Sequence, residues 1–157
     1  MKAIETEYKD ILFRSRLEAR WAILFDALEL EWVYEPDCFI LSNNQKYTPD
    51  FYIPKYDLYI EVKPNTYWQN INYHINRYKL FEKDLLILSD EYPDFRVNKL
   101  FTKHENEKVI LDVVFIPNHN KYNHFFYSGY DLGSSEDGFL EEYEHKVKVV
   151  KQHRFYK

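Results

Sequence analysis

The stretch from Tyr47 to Pro64 constrains this chain most. It reads Tyr-Thr-Pro-Asp-Phe-Tyr-Ile-Pro, then Lys-Tyr-Asp, then Leu-Tyr-Ile-Glu-Val-Lys-Pro. Aromatic and β-branched residues from Tyr47 to Ile53 predict a strand closed by Pro54, and Leu58 to Lys63 a second strand after a short turn. Side chains alternate along a strand, so Leu58, Ile60 and Val62 share one face while Tyr59, Glu61 and Lys63 share the other. Pro49 and Pro64 bias the residues before them, Thr48 and Lys63, towards extended backbone. The outcome is an aspartate, Asp50, at the start of one strand and a Glu-x-Lys pair at the end of the next.

Placing a carboxylate and an ammonium beside an apolar sheet is costly unless they are paired or bind a metal. Asp50 and Glu61 can meet across adjacent strands. Two carboxylates at contact repel, and a divalent cation between them relieves the repulsion. Oxygen donors of this kind suit Mg²⁺ or Mn²⁺ rather than Zn²⁺. Glu-x-Lys alone carries no weight, because Glu7-Tyr8-Lys9 and Glu144-His145-Lys146 repeat it outside any strand-like setting. Taken singly, Glu61 and Lys63 read as a solvated pair and Pro49-Asp50 as a turn; their order and context make them informative.

Upstream, Leu17, Trp21, Leu24 and Leu28 recur at helical spacing and predict a helix from Ser15 to about Glu29. Ser15 with Glu18 three residues on has the spacing of a capping box. Arg16 and Arg20 fall on one helical face beside Arg14. These three either clamp phosphates, since a guanidinium fork matches phosphate oxygens, or form a solvated, salt-bridged face.

The combination of Ser15-Arg16-Leu17-Glu18, Tyr34-Glu35-Pro36, Tyr47-Thr48-Pro49-Asp50-Phe51 and Glu61-Val62-Lys63-Pro64 resembles the PD-(D/E)xK nuclease superfamily, the restriction-endonuclease-like fold. Within it the wording is similar to endonuclease subunits of cut-and-paste transposition systems and to small phage-encoded nucleases. The resemblance covers about residues 12–90. It implies an α/β fold: a mixed central β-sheet flanked by helices, with an αβββαβ core and a C-terminal extension over about 91–157, read here as one domain. It also implies a Mg²⁺- or Mn²⁺-dependent endonuclease acting on DNA. Asp50, Glu61, the Val62 carbonyl and Glu18 would be metal ligands, and Lys63 would serve beside the metal-bound water. Glu18 thus carries two readings, helix cap and ligand. The resemblance leaves open a subunit active only in a recombination or transposition complex, a homodimer making paired nicks, and a module that binds nucleic acid without cutting it.

The remaining segments are less specific. Glu31 to Leu41 predicts a strand interrupted at Pro36, paired as a hairpin with the Asp50 strand through Ser42-Asn43-Asn44-Gln45. Glu35 is either an accessory acid or a surface strand residue. Thr66 to Asp84 reads as a helix, with Arg77, Lys79 and Lys83 as phosphate contacts or solvating charge. Gln69 and Tyr73 match a pair found in an exonuclease-like branch of the superfamily, but they follow Lys63 closely and a polar helix start suits them better. Leu85 to Leu88 predicts a strand parallel to the Glu61 strand. Val109 to Ile116 and Phe125 to Tyr130 read as strands that extend the sheet or build an appendage. Asn118-His119-Asn120 and His124 read as loop polarity, Gly129 to Gly138 as an acidic loop, and Phe139 to Lys157 as a helix with acidic start and basic end.

Composition sets limits on all this. At 157 residues the chain suits one domain with a real core, and 45 % hydrophobic residues exclude a disordered chain. A net charge of −5 argues against a general polyanion binder, so nucleic-acid contact must come from local basic patches. The single cysteine, Cys38, excludes an internal disulfide and a cysteine-based zinc site. No apolar run is long enough to span a membrane, and Met1 to Asp10 lacks an apolar signal region, which leads to the expectation of a cytoplasmic protein.

Overall fold

The computed structural model of the protein describes residues 3–64, 71–89, 98–104, 107–115 and 125–127. The chain opens with a hairpin, β1 (Thr6–Tyr8) and β2 (Ile11–Phe13). Lys9 and Asp10 both take positive φ in its turn, the mirror-type geometry that matches the twist of flanking strands.

Helix α1 spans Arg16–Ala27 and begins at the predicted place, with the Ser15 side chain accepting the Glu18 N–H. Its end is a Schellman motif: Leu30 N–H bonds Phe25 O, Glu29 N–H bonds Asp26 O, and Glu29 takes the left-handed conformation a glycine would usually occupy. The helix therefore ends two residues before the predicted Glu29.

The predicted Glu31–Leu41 strand is two short pieces, β3 (Val33–Tyr34) and β4 (Phe39–Ile40), broken as Pro36 foreshadowed. The Tyr47–Ile53 strand is likewise divided into β5 (Lys46–Tyr47) and β6 (Phe51–Ile53), because Pro49 cannot donate to a ladder. The pairs separate accordingly: β4 joins β5 in a small two-stranded sheet, and β3 joins β6 in the main one. After a 3-10 turn at Pro54–Tyr56 comes β7 (Leu58–Lys63), as predicted. Helix α2 is described over Ile71–Lys79; of the predicted Thr66 to Asp84 helix, residues 80–84 leave it, and 66–70 lie outside the described residues. Strands β8 (Leu85–Ser89), β9 (Asn98–His104), β10 (Glu107–Phe115) and β11 (Phe125–Tyr127) follow.

The fold is mixed α/β. Its main sheet has the order β11-β10-β9-β8-β7-β6-β3, with β7 and β8 parallel and every other pair antiparallel. The strands after β8 thus extend the main sheet. A parallel pair needs a crossover, and α2 lies on it. The two faces carry separate cores. Ile60, Val62 and Leu86 pack with Trp21, Leu24 and Phe25 of α1, whereas Tyr59 and Ile87 pack with Tyr78 of α2 and Phe81. The alternation along β7 is as predicted, but both faces are covered, so Glu61 is enclosed rather than solvated. Among the described residues no helix is long and apolar enough to cross a membrane. Gln69, residues 118–120, His124, and the stretches 129–138 and 139–157 predicted as a loop and a helix lie outside the described residues.

Candidate functional site

The β6–β7 ladder runs Ile53↔Leu58, Tyr52↔Tyr59, Phe51↔Ile60, so its next step brings Asp50 level with Glu61. Both are buried, Asp50 at 3 % exposure and Glu61 at 6 %, and Glu18 joins them at 7 %. Three acids from α1, the lead-in to β6, and β7 are thus enclosed where acids are rarely found without partners.

Each acid has its own set of donors. Asp50 Oδ2 accepts the Val62 backbone N–H at 2.7 Å, and Oδ1 accepts Arg14 at 2.7 Å. The same guanidinium reaches Glu35 Oε1 through Nε, also at 2.7 Å. Glu61 Oε1 pairs with Lys63 Nζ at 2.5 Å, and Oε2 accepts the Tyr47 hydroxyl at 2.8 Å. Glu18 Oε1 accepts the Ser15 hydroxyl at 2.8 Å and Oε2 accepts the Tyr34 hydroxyl at 2.6 Å. Ser15 therefore caps α1, while the Glu18 carboxylate turns to two hydroxyls rather than back to the Ser15 main chain.

The groups feel one another. Burial, then the charge of Glu61 and of Glu18, pushes the Asp50 carboxyl well above the usual carboxylate range; Lys63 and the Val62 N–H oppose this without reversing it. Arg14 touches Asp50, but its side chain is 56 % exposed and solvent weakens its hold. Burial works against the Lys63 ammonium, yet Glu61, then Asp50 and Glu18, raise its pKa above the ordinary lysine value. Glu18, Asp50, Glu61 and Lys63 thus share one electrostatic environment.

Of the predicted phosphate contacts, Arg14 enters the acid cluster directly. Arg16 and Arg20 lie half-buried on α1, and the Arg16 Nε is buried with no hydrogen-bond partner among the described residues. Glu35 sits at the edge, bound to Arg14, and its backbone N–H bonds the Asp50 carbonyl at 2.9 Å. Three neighbours were given no role from sequence: Tyr34, Tyr47 and His74. Burial, then the charges of Lys63 and Arg77, lower the His74 pKa against the opposing charge of Glu61, and the imidazole stacks on Tyr78 at 6.3 Å. Both tyrosines stand inside the motif strings, but a hydroxyl that caps a distant carboxylate leaves no periodic trace.

Among the described residues, no three His, Cys, Asp or Glu side chains stand together as a ready cage for an ion. The donor chemistry nonetheless fits a hard divalent cation. The set is all oxygen, it is enclosed, and Asp50 carries an excess of like charge that a cation would relieve. A separate open cavity of about 590 Å³ lies at the C-terminal corner of α1, lined by Lys9, Asp26, Trp32 and Tyr34 among others. Among the described residues, Tyr34 borders both places.

No protein-family model matches this chain, and no curated protein matches it in sequence. The functional reading therefore rests on the site itself.

Proposed function

We propose that the protein is a divalent-metal-dependent endonuclease hydrolysing phosphodiester bonds in DNA, on a restriction-endonuclease-like core. The observation that carries this reading is that the buried Asp50 and Glu61 stand level on neighbouring strands, with Lys63 on Glu61, and that Glu61, Lys63 and Glu18 all act on the Asp50 carboxyl. Gathering like charges costs stability, and strongly shifted carboxyls concentrate where chemistry needs them.

In this reading Asp50 and Glu61 hold one or two Mg²⁺ or Mn²⁺ ions, with the Val62 carbonyl and Glu18 completing the set directly or through water. The metal, when bound, supplies the Lewis acidity that makes a water nucleophilic and offsets charge growing on the phosphate. Lys63 lies on the Glu61 side of β7. Its raised pKa keeps it a cation at neutral pH, which favours orienting the water and neutralising the transition state over accepting a proton. Arg14, Arg16 and Arg20 grip phosphate oxygens, and the Arg14 fork already holds two carboxylates in the manner it would hold a phosphate.

The test is incubation with supercoiled, linear, single-stranded and branched DNA in Mg²⁺, Mn²⁺ and EDTA. Cleavage in either metal and none in EDTA is expected. Lys63→Ala should lower the rate by about 100-fold or more at nearly unchanged DNA affinity. Full activity in that variant would remove the assignment of Lys63. The Arg14–Asp50 and Lys63–Glu61 pairs, each of which occupies one oxygen of its acid, favour one second reading: a subunit activated only within a recombination or transposition complex. Protein that binds Mn²⁺ but cuts nothing until a partner protein is added would select it.

A further inference from the structure

Glu61 is enclosed, and its two oxygens do different work. Oε1 meets Lys63, and Oε2 is held by a hydroxyl that comes from outside the main sheet, on β5. We propose that Tyr47 is the positioning residue of the site, fixing the rotamer of Glu61 so that one oxygen stays on Lys63 and the carboxylate stays turned to Asp50. The inference rests on the metal-dependent reading above.

Tyr47 is suited to this by its rigidity. It is 3 % exposed, and its ring is gripped on several sides. Phe81 meets it edge-on with centroids 5.2 Å apart, Tyr78 lies at 6.0 Å, and the Arg77 guanidinium sits over the ring at 5.0 Å. Arg77 also reaches the Lys46 carbonyl at 3.4 Å, tying α2 to β5. A side chain packed this closely has one rotamer available, so its hydroxyl is a fixed point rather than a mobile donor. The donor is also neutral. A phenol hydroxyl carries no charge at neutral pH, so Tyr47 offers a hydrogen bond without competing for a cation. A lysine in its place would neutralise Glu61 a second time. A phenylalanine would leave Oε2 free to turn.

Groups that orient a metal ligand typically matter by about 10–100-fold in metal affinity when removed. Tyr47→Phe keeps the ring and deletes only the hydroxyl. Isothermal titration with Mn²⁺ should show a dissociation constant about 10–100-fold weaker than that of the wild type, and DNA cleavage should lose kcat at unchanged KM. The same change in a Glu61→Gln background should cost nothing further, because the group it acts through is already altered. An unchanged Mn²⁺ constant in Tyr47→Phe would overturn the role of Tyr47 while leaving the metal site standing. A further tenfold or greater loss in the Glu61→Gln background would also overturn it, since Tyr47 would then act through the fold. Wild-type protein that binds no Mn²⁺ would overturn the metal-dependent reading and this inference with it.

Discussion

Asp26, near the end of α1, is half-buried and Asp50, ahead of β6, is buried, and they are held in opposite ways. Asp26 is held by three donors: the Tyr8 hydroxyl at 2.7 Å, the Trp32 indole at 3.0 Å and Lys9 at 2.8 Å. Burial alone would raise its pKa, but the bonds from Lys9, Tyr8 and Trp32 bring it below the ordinary value. Asp50 faces two other acids, and its pKa goes the other way. The first carboxylate fastens the β1–β2 hairpin and the Trp32 segment to α1. The second is held at a cost in stability, which is what the proposed function expects of an acid in its site.

The sharpest way to break this contrast is Asp26→Ala, which removes the acceptor shared by Tyr8, Trp32 and Lys9. A loss of about 2–3 kcal/mol is expected in urea unfolding at pH 7. The folded pKa of Asp26 lies below its unfolded value of about 3.9, so its contribution is complete above that value and vanishes as pH falls through the folded pKa. Asp26→Ala should therefore flatten the acid limb of the stability curve.

Next in size is Asp50→Asn in metal-free buffer, with the opposite sign. A carboxyl raised in the folded state favours folding fully below about pH 3.9, and that advantage is lost as pH rises through the raised value. The variant should gain on the order of 1 kcal/mol near pH 8. The gain should shrink towards acid, as pH-dependent melting will show. A less stable Asp50→Asn protein at pH 8 would make Asp50 a fastener like Asp26. Smallest is Lys9→Met. Lys9 is 59 % exposed, and an exposed partner contributes below about 0.5 kcal/mol, a value that should fade further in added salt. A larger loss would mean that charge, rather than the neutral donors, holds Asp26.

The legible parts of this fold were those that a local pattern dictates. The α1 stripe with its Ser15 cap, the β7 alternation and the apolar β8 run all stand where periodicity placed them. The β1–β2 hairpin was invisible because its turn uses Lys9 and Asp10 where asparagine and glycine usually signal such a turn. Strand β9 begins with Asn-Lys and carries Lys103, so its register against β8 and β10 decided it rather than its own propensity. In the site, the four residues Glu18, Asp50, Glu61 and Lys63 were named from spacing and resemblance. Their partners Tyr34 and Tyr47 were not, because a contact between residues 16 or 14 positions apart is written in tertiary packing.

One small feature governs how far this chain can vary. The turn between β6 and β7 closes with Asp57 N–H on the Pro54 carbonyl at 3.2 Å and Asp57 at φ 47°. It sets the ladder that brings Asp50 level with Glu61. Slipping that ladder by one residue would swing Glu61 and Lys63 round to the α1 side, among Leu24 and Phe25. Substitutions between the two acids are thus tolerable in kind but not in number. The interval from residue 50 to residue 61 works as a fixed ruler, and any insertion there must be looped out before it reaches a strand.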